Sequence, residues 1–433
     1  MERTWTSELP QRYGERVLLK GWLHRLRRLR GVSFLVLRDA RGTAQVVVDD
    51  PQLAASLSRL HHESVLEVDG TAVAEAQAPG GVEVRQPAVS VLAAAVAPPP
   101  VDLFRPVLRA RLPTLLDHAA VTLRHPARRA PFLVASASMA GFRQTLSEAG
   151  FLEIQTPKIA GSSTEGGASV FPLDYFGRTA FLAQSPQLYK QMMVGVFERV
   201  FEVGPVFRAE PHDTPRHLNE YVSLDAELGF VSDHRDVMAT LRGTVAGMVE
   251  AVRGEAAAAL ELLSARVPKV PDTIPSIHFS DALSLLGAAT GQDLSDELDL
   301  APTHETWLGE WAEREHGSEF LFVTGYPMAK RPFYTHPDPA SPTSSNSFDL
   351  LFRGQELATG GQRLHRYQDY LAALESRGTA AEPFAGYLEA FRHGMPPHGG
   401  FAIGLERWTA RVVGAANIRE ATLFPRDLSR LSP

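Results

Sequence analysis

The chain has 433 residues, which is enough for two or three domains and a sizeable core. Its 44% hydrophobic and 21% charged residues are typical of a soluble globular protein and exclude a disordered, collagen-like or disulfide-stabilised chain. The absence of cysteine excludes thiol nucleophiles and zinc–thiolate or iron–sulfur sites, so any metal must be held by oxygen or imidazole. The formal charge of −7 argues against indiscriminate coating of nucleic acid, but it leaves room for a local basic face.

No stretch of the sequence is apolar over the roughly 18 residues that a membrane span needs. The longest nearly apolar run covers residues 89–97, and residues 1–12 lack the apolar segment of a signal peptide. The sequence therefore predicts a cytoplasmic protein without a membrane partner.

Residues 1–97 are predicted to form a five-stranded β-barrel of the oligonucleotide-binding (OB) type. Five short runs rich in β-branched residues are separated by glycine and proline turns, with one helix-like stretch between the third and fourth. Residues 11–41 include nine basic residues and only two acidic ones, and Trp22, His24 and Phe34 are interspersed among them. Aromatic rings on a basic barrel can stack on unpaired bases. A solvated charged surface is the alternative interpretation.

The rest of the chain is predicted to be an α+β domain, 129–433, joined to the barrel by a hinge, 98–128. The proline-rich stretch 93–100 predicts a stiff linker. Helical periodicity ends at Gly150, and two apolar runs around a polar segment predict an antiparallel hairpin. Strands are predicted at 151–157, 200–207, 221–230, 346–352 and 400–404, and helices at 234–264 and from Leu405 onward. No regular βαβ alternation is present, which argues against a doubly wound parallel sheet.

Neither a Walker loop nor a GxGxxG turn follows a strand, so the two commonest nucleotide cradles are absent. Instead, arginines occur at strand ends beside acidic residues. Arg208 closes the first hairpin strand, and Arg407 lies at a strand-to-helix junction. Two arginines on separate elements can hold a triphosphate and stabilise charge that develops at phosphorus, although each alone is more often a surface ion pair.

Three separated motifs occur in order: GFLEIQTPKI, FRAEPHDTPRHLNEYVSLDAEL and GGFAIGLERW. With them the whole chain resembles the class II aminoacyl-tRNA synthetases, and within them the aspartyl-tRNA synthetases of the compact archaeal and eukaryotic type. The resemblance implies an antiparallel sheet flanked by helices behind an anticodon-binding barrel. It also implies ATP as co-substrate, L-aspartate, Mg²⁺, a tRNA partner, and a homodimer through the first motif, which contains Pro157.

The resemblance assigns roles to residues of the nucleotide site. Arg208 would bind the α-phosphate and the substrate carboxylate, and Arg407 would hold the γ-phosphate, so both are candidate catalytic residues. Tyr221 would stack on the adenine, although a structural role in the strand core is the alternative. The remaining candidate ATP-binding residues are Glu210, Arg216, His217, Leu218, Glu356 and Gly404. Glu356 and Thr359 match the magnesium-binding pair of the family, and such hard oxygen ligands suit that ion.

The amino-acid pocket is where the resemblance is most specific. Lys190 and Arg363 match the two cations that read the side-chain carboxylate, and a pair of cations selects aspartate over the neutral amide. Asparaginyl enzymes resemble the chain closely but tend to carry an acidic residue at Lys190, and this chain has only five lysines. The other candidate aspartate-binding residues are Glu165, Ser185, Gln187, Arg208, Asp225 and Thr359. An asparaginyl enzyme, a tRNA-free asparagine synthetase relative and an inactive RNA-binding paralogue are the alternatives.

Four barrel residues are candidates for the anticodon. Phe34 and Gln45 match family positions that stack on and hydrogen-bond anticodon bases, and Pro79 belongs to a loop that can contribute. His24 lies where discriminating archaeal relatives tend to have tryptophan. This histidine predicts relaxed reading of the last anticodon base, and hence charging of tRNA(Asn) as well as tRNA(Asp), unless His24 is only a surface residue.

Overall fold

The structure is a computed structural model that describes residues 2–161 and 170–433. The chain divides into two compact units, Met1–Pro126 and Ala127–Pro433. Much of the segment predicted as a hinge is thus counted with the N-terminal unit, and the predicted boundaries at residues 97 and 129 remain predictions. No helix in the described part of the chain is long and apolar enough to cross a membrane.

The N-terminal unit contains the predicted barrel, which is confirmed. Within the described residues it closes in the strand order β1-β2-β3-β5-β4 around a hydrophobic core that includes Leu19, Leu35 and Val46. The strands are β1 (Arg16–Leu29), β2 (Val32–Arg38), β3 (Thr43–Val48), β4 (Val65–Ala74) and β5 (Val82–Ala93). Short 3-10 helices span Thr6–Gln11 and Pro79–Gly81, and the unit's helices are α1 (Pro51–Leu57), α2 (Leu112–Asp117) and α3 (Ala119–Thr122).

A β-bulge lies at His24 in β1. Leu23 pairs with Leu37 of β2, whereas Arg25 already pairs with Val36, so His24 has no partner of its own in the ladder. A bulge of this kind bends the strand and re-aims a side chain.

The C-terminal unit is built on a sheet that has eight strands within the described residues, in the order β12-β13-β14-β15-β16-β11-β10-β6. Its strands are β6 (Leu152–Glu153), β10 (Arg199–Phe207), β11 (Glu220–Gly229), β12 (Ser276–His278), β13 (Phe320–Thr324), β14 (Ser347–Phe352), β15 (Gln355–Gln362) and β16 (His398–Gly404). A smaller sheet contains β7 (Ile159–Ala160), β8 (Pro172–Tyr175) and β9 (Arg178–Leu182). The large sheet is antiparallel except for its outermost pairs, β12 with β13 and β6 with β10.

The helices of this unit bury the apolar residues of the large sheet, except the two within residues 367–392, which form a separate apolar cluster with the helix at 187–197. The helices are α4 (Pro126–Glu148), α5 (Gln187–Phe197), α6 (His234–Glu255), α7 (Ala257–Leu262), α8 (Phe279–Thr290), α9 (Pro302–His316), α10 (Tyr367–Ser376), α11 (Ala385–Arg392) and α12 (Leu405–Val413). Further 3-10 helices span Met328–Lys330, Glu382–Phe384 and Ile418–Ala421. Apolar residues of α4, α6 and α12 share one core cluster with the central strands, and Trp408 Nε1 donates to Ser138 Oγ at 2.8 Å inside it.

The predicted α+β class and the β10–β11 hairpin are confirmed, but two predicted elements differ from the structure. The strand expected over 151–157 is paired only at Leu152–Glu153. The helix expected over 234–264 is interrupted between α6 and α7 at Ala256 and ends at Leu262. Apolar content alone therefore predicts where these two elements lie but not the residues at which they begin and end.

Candidate active site

A cavity of about 430 Å³ opens on the central strands of the large sheet. Its lining brings together every predicted aspartate, ATP and magnesium residue that the structure describes. These are Ser185, Gln187, Lys190, Arg208, Glu210, Arg216, His217, Leu218, Tyr221, Asp225, Glu356, Thr359, Arg363, Gly404 and Arg407. Glu165, the remaining candidate, lies outside the described residues. Residues separated by up to half the chain thus converge on one site, while the roles assigned to them remain predictions.

Two cations, Lys190 and Arg363, line one end of the cavity together with the carboxylate of Asp225. A second carboxylate, Glu227, pairs with both cations, and all four side chains are buried. Lys190 Nζ lies 2.9 Å from Asp225 Oδ1 and 3.3 Å from Glu227 Oε2, and it donates to the Phe401 carbonyl at 3.1 Å. Arg363 Nε donates to Glu227 Oε1 at 3.0 Å. The formal charges of these four side chains cancel. No buried cation is therefore unpaired before the substrate carboxylate binds.

The backbone of β16 makes room for this cluster at Gly400. A Cβ there would lie 2.0 Å from Glu227 Oε2 and 2.2 Å from the Ala226 carbonyl, so only glycine fits beside the buried carboxylate. The Gly400 carbonyl in turn accepts from Arg363 Nη2 at 3.1 Å. Burial acts to raise the pKa of Glu227, but Arg363 and Lys190 outweigh burial, and the pKa lies below its ordinary value. Glu227 is therefore ionised near neutral pH.

The other end of the cavity carries the candidate nucleotide residues. The Arg208 guanidinium lies 5.6 Å from the Tyr221 ring centroid and 3.9 Å from Glu210 Oε1. Arg407 Nη1 donates to the Glu356 carbonyl at 2.8 Å and lies 3.3 Å from Glu356 Oε1. The two arginines come from β10–β11 and α12, so they lie on separate elements that face one cavity, as a phosphate-binding pair requires.

The connection between β10 and β11, residues 208–219, has no regular structure but is closed at its base. Arg208 N donates to the Asn219 carbonyl at 2.9 Å, and Asn219 Nδ2 donates to the Arg208 carbonyl at 2.6 Å. Within the loop, His217 Nδ1 lies 2.6 Å from Thr214 Oγ1. Burial, the largest effect, lowers the pKa of His217, so its ring is neutral at physiological pH.

Several buried polar residues at the cavity were not predicted. Glu305 of α9 accepts from Arg216 Nη2 at 2.6 Å and from Glu356 N at 3.2 Å. Arg331 Nη2 donates to both Asp349 carboxylate oxygens at 3.2 Å, and burial raises the pKa of Asp349 above its usual range against the effect of this arginine. These residues lie outside the three motifs, and no local pattern marks them, because their partners are distant in sequence.

Glu406 belongs to the third motif, GGFAIGLERW, but the motif predicts no role for it. Both of its carboxylate oxygens accept from Val222 N at 3.1 Å, beyond the end of β16, and the side chain lines the cavity. Burial raises the pKa of Glu406 to about 7.

The candidate anticodon residues lie in the N-terminal unit. Arg27 lies 5.8 Å from the Phe34 ring centroid and donates to Gln45 Oε1 at 2.6 Å, so Phe34 and Gln45 both contact one arginine. Pro79 is exposed at the start of a 3-10 helix.

His24 is half-buried rather than a freely solvated surface residue. Its Nδ1 accepts from Arg38 Nη1 at 3.1 Å, and Arg38 also forms a bidentate pair with buried Glu63, with both distances 2.8 Å. Burial, with a smaller effect of Arg38, lowers the pKa of His24 to about 4. The ring is therefore neutral near pH 7 and can offer only its Nε2 hydrogen to a base.

Comparison with known proteins agrees with this geometry. The family model for class II tRNA synthetases (D, K and N) matches residues 112–428, and that for the OB-fold nucleic acid binding domain matches residues 17–92. Relatives named aspartate–tRNA(Asp/Asn) ligase are 47% identical in Thermus thermophilus, with both chains fully covered, and 46% identical in Deinococcus radiodurans, with 100% of this chain and 99% of that one covered. The solved asparaginyl-tRNA synthetase of Pyrococcus horikoshii in complex with asparaginyl-adenylate is 30% identical, with a TM-score of 0.93 and full coverage of both chains.

The chain therefore belongs to the class II tRNA synthetases of the D, K and N group, a family that uses ATP. The family predicted from the three motifs is confirmed. Within the group, the aspartyl type is supported over the asparaginyl alternative, because the relatives with aspartate in their names are much more similar in sequence than the asparaginyl enzyme.

Proposed function

We propose that this enzyme ligates L-aspartate to tRNA(Asp) and to tRNA(Asn) in the cytoplasm. The observation that carries the choice of amino acid is the pair of buried cations, Lys190 and Arg363, at one end of the cavity. A side-chain carboxylate can bond to both, whereas the amide of asparagine would place NH₂ hydrogens against a cation. Arg208, Glu356 and Arg407 are all present at the other end, which argues against an inactive paralogue.

The reaction proceeds in two displacements. An α-carboxylate oxygen of aspartate attacks the α-phosphorus of ATP, the bond to the bridging oxygen breaks, and pyrophosphate leaves with that electron pair. A terminal ribose hydroxyl of tRNA then attacks the carbonyl carbon of the aspartyl-adenylate. The bond from that carbon to the phosphate oxygen breaks, AMP leaves with the electron pair, and the hydroxyl proton is released. No protein nucleophile is needed, and the residues act by positioning and electrostatics, with Arg208 beside the phosphorus and Arg407 at the far phosphate.

The chemistry of the donor set fits magnesium. Glu356 Oε1 and Thr359 Oγ1 lie 3.3 Å apart on β15 and line the cavity with the candidate phosphate residues. No group of three or more potential protein ligands of the His, Cys, Asp and Glu types is present in the described parts of the chain. Mg²⁺ is commonly held by one or two protein oxygens together with substrate phosphates, and when bound it would neutralise phosphate charge.

Charging of both tRNAs is proposed from the barrel and from the names of the relatives. The neutral, half-buried His24 provides one hydrogen-bond donor on the barrel that carries the other candidate anticodon residues, and one donor excludes a wrong base less strongly than a bulky indole does. Purified tRNA(Asp) and tRNA(Asn) transcripts should both be aspartylated, with kcat/KM values within about 10³-fold of each other. A larger preference for tRNA(Asp), about 4 kcal/mol or more, would contradict dual charging.

The His24→Trp variant should depress charging of tRNA(Asn) more than that of tRNA(Asp), by the 1–3 kcal/mol, or about 5- to 150-fold, of one base contact. The ratio of the two kcat/KM values is the measurement, and aspartate-dependent ATP–pyrophosphate exchange without tRNA should stay unchanged. His61→Trp, on the loop after α1, is a control for a bulky ring elsewhere in the unit. An equal effect on both tRNAs would remove His24 from the specificity argument.

The proposed homodimer is supported by the surface around the first motif. Exposed Leu152 and Ile159 flank Pro157, which is itself exposed, and β6 is a short strand at an edge of the described sheet. Exposed apolar residues at a sheet edge suit a two-fold interface, in which the same surface of each protomer meets its copy. Sedimentation at micromolar concentration should give a dimer, and Leu152→Asp should shift it toward monomer, whereas Leu262→Asp on α7, which is similarly exposed, should not. A monomeric parent protein would overturn the proposal.

A further inference from the structure

The loop 208–219 contains five of the candidate ATP-binding residues, yet it has no helix or strand to hold its shape. Its closure at Arg208 and Asn219 fixes only its base. The part around Thr214, on which His217 depends, must be held by contacts from elsewhere in the chain, because an unsupported loop would lose the geometry of its ligand-binding side chains.

The C-terminal segment, residues 417–433, supplies those contacts. Arg419, 8% exposed, donates from Nη1 to the Thr214 carbonyl at 3.1 Å and from Nη2 to Asp213 Oδ1 at 2.6 Å. The backbone adds two further bonds: Ile418 N donates to the Pro215 carbonyl at 2.9 Å, and Asn219 N donates to the Arg426 carbonyl at 2.8 Å. The second half of the loop, residues 213–219, is thus attached to this segment.

Asp427 holds the Arg419 guanidinium in place. Arg419 Nε donates to Asp427 Oδ2, while Asp427 Oδ1 accepts from Ser429 N at 2.9 Å and from Arg430 N at 2.8 Å. Although burial acts to raise the pKa of Asp427, its hydrogen bonds to Arg419 and Ser429 lower it below its ordinary value. The carboxylate therefore stays charged across the neutral pH range, and its ion pair with Arg419 persists over the same range.

We infer that Arg419 is a positioning residue for ATP, which fixes Thr214 and through it His217, with Asp427 holding its guanidinium. The connection is direct, because Arg419 bonds the carbonyl of Thr214 and the hydroxyl of Thr214 bonds the His217 ring. Arg419 itself does not line the cavity, whereas His217 and Arg216 do. The inference rests on the proposed use of this cavity for ATP and aspartate.

Kinetics of aspartate-dependent ATP–pyrophosphate exchange separate this role from general stabilisation. Arg419→Ala should raise KM for ATP by about tenfold or more, the effect of losing charged hydrogen bonds, while KM for aspartate stays near that of the parent. Arg419→Lys, which keeps the charge and one bond, should recover part of the loss, and Asp427→Asn should show a smaller increase in the same parameter. Arg242→Ala is the matched control, since Arg242 also bonds a loop carbonyl and a carboxylate, at Pro271 and Asp272, away from the cavity.

A second readout needs no activity. Trypsin should cleave after Arg216 several-fold faster in Arg419→Ala than in the parent or in Arg242→Ala, because the loop is released from the C-terminal segment. An unchanged KM for ATP with unchanged cleavage would overturn the inference, as would a parallel rise in both KM values with faster cleavage throughout the chain. If the parent enzyme shows no aspartate-dependent exchange, the proposed function fails, and the cleavage rates alone still decide whether Arg419 holds the loop.

Discussion

Lys190→Ala and Arg363→Ala are each expected to lower kcat/KM for aspartate in ATP–pyrophosphate exchange by at least about 10²-fold. Removing Lys190 leaves the buried Asp225 without its cation, and removing Arg363 leaves Glu227 with Lys190 alone. Either change gives the cluster a net negative charge before the substrate carboxylate enters. Truncating one member of a buried charge pair costs roughly 2–5 kcal/mol. The decrease should appear in kcat/KM for aspartate rather than in kcat/KM for ATP.

The control is Arg353→Ala. Like Arg363, Arg353 bonds a carboxylate and backbone carbonyls, here the half-buried Glu319 and the carbonyls of Arg266 and Arg411, but it does not line the cavity. Its loss should reduce thermal stability and leave KM for aspartate unchanged. Near-normal aspartate kinetics in both Lys190→Ala and Arg363→Ala would show that the amino-acid pocket has been assigned to the wrong residues.

Arg208→Ala is expected to slow adenylate formation by about 10²–10³-fold, with a smaller change in KM for either substrate. The guanidinium is placed between the Tyr221 ring and Glu210, where it can meet charge that develops at the α-phosphate during displacement. Removing one such preorganised donor costs a factor of this size in kcat. The rate constant is measured in single-turnover formation of aspartyl-adenylate at saturating substrates.

Arg208→Lys serves as the companion variant. It keeps one positive charge but loses the planar fork that bonds two oxygens at once, so it should recover only part of the rate. If adenylate forms at the parent rate in Arg208→Ala, the residue does not act at the phosphorus, and Arg407 would then be the cation that stabilises the displacement.

The sequence predicted well the elements whose signals are local. The barrel strands are short runs rich in β-branched residues between glycine and proline turns, and the hairpin around loop 208–219 is made of two long apolar runs. By contrast, β15 contains Thr359-Gly360-Gly361, which is typical of a turn, although these residues pair in the centre of the sheet. The environment between β14 and β16 overrides the low strand propensity of glycine there.

The site residues divide in the same way. The predicted residues from the three motifs and their neighbouring segments line one cavity. A motif identifies them because it consists of the side chains that the site requires. The contacts between them are not recorded in any one segment: Arg216 meets Glu305 from 89 residues away, and Arg419 meets Asp213 from 206 residues away. Such pairs depend on tertiary packing, so no spacing along the chain could have indicated them.

The cluster of two cations and two carboxylates at the end of the cavity also determines how this scaffold can change its amino acid. Replacing Lys190 by an acidic residue would collect three buried carboxylates around one guanidinium, which is costlier than the loss of a single ion pair. Conversion to a neutral side chain as substrate therefore requires Asp225 or Glu227 to change in the same step, and Gly400 leaves no space for a larger neighbour to compensate. A single substitution that removes one of these four charges leaves the buried cluster with a net charge, so a change of amino-acid specificity carries a cost in stability.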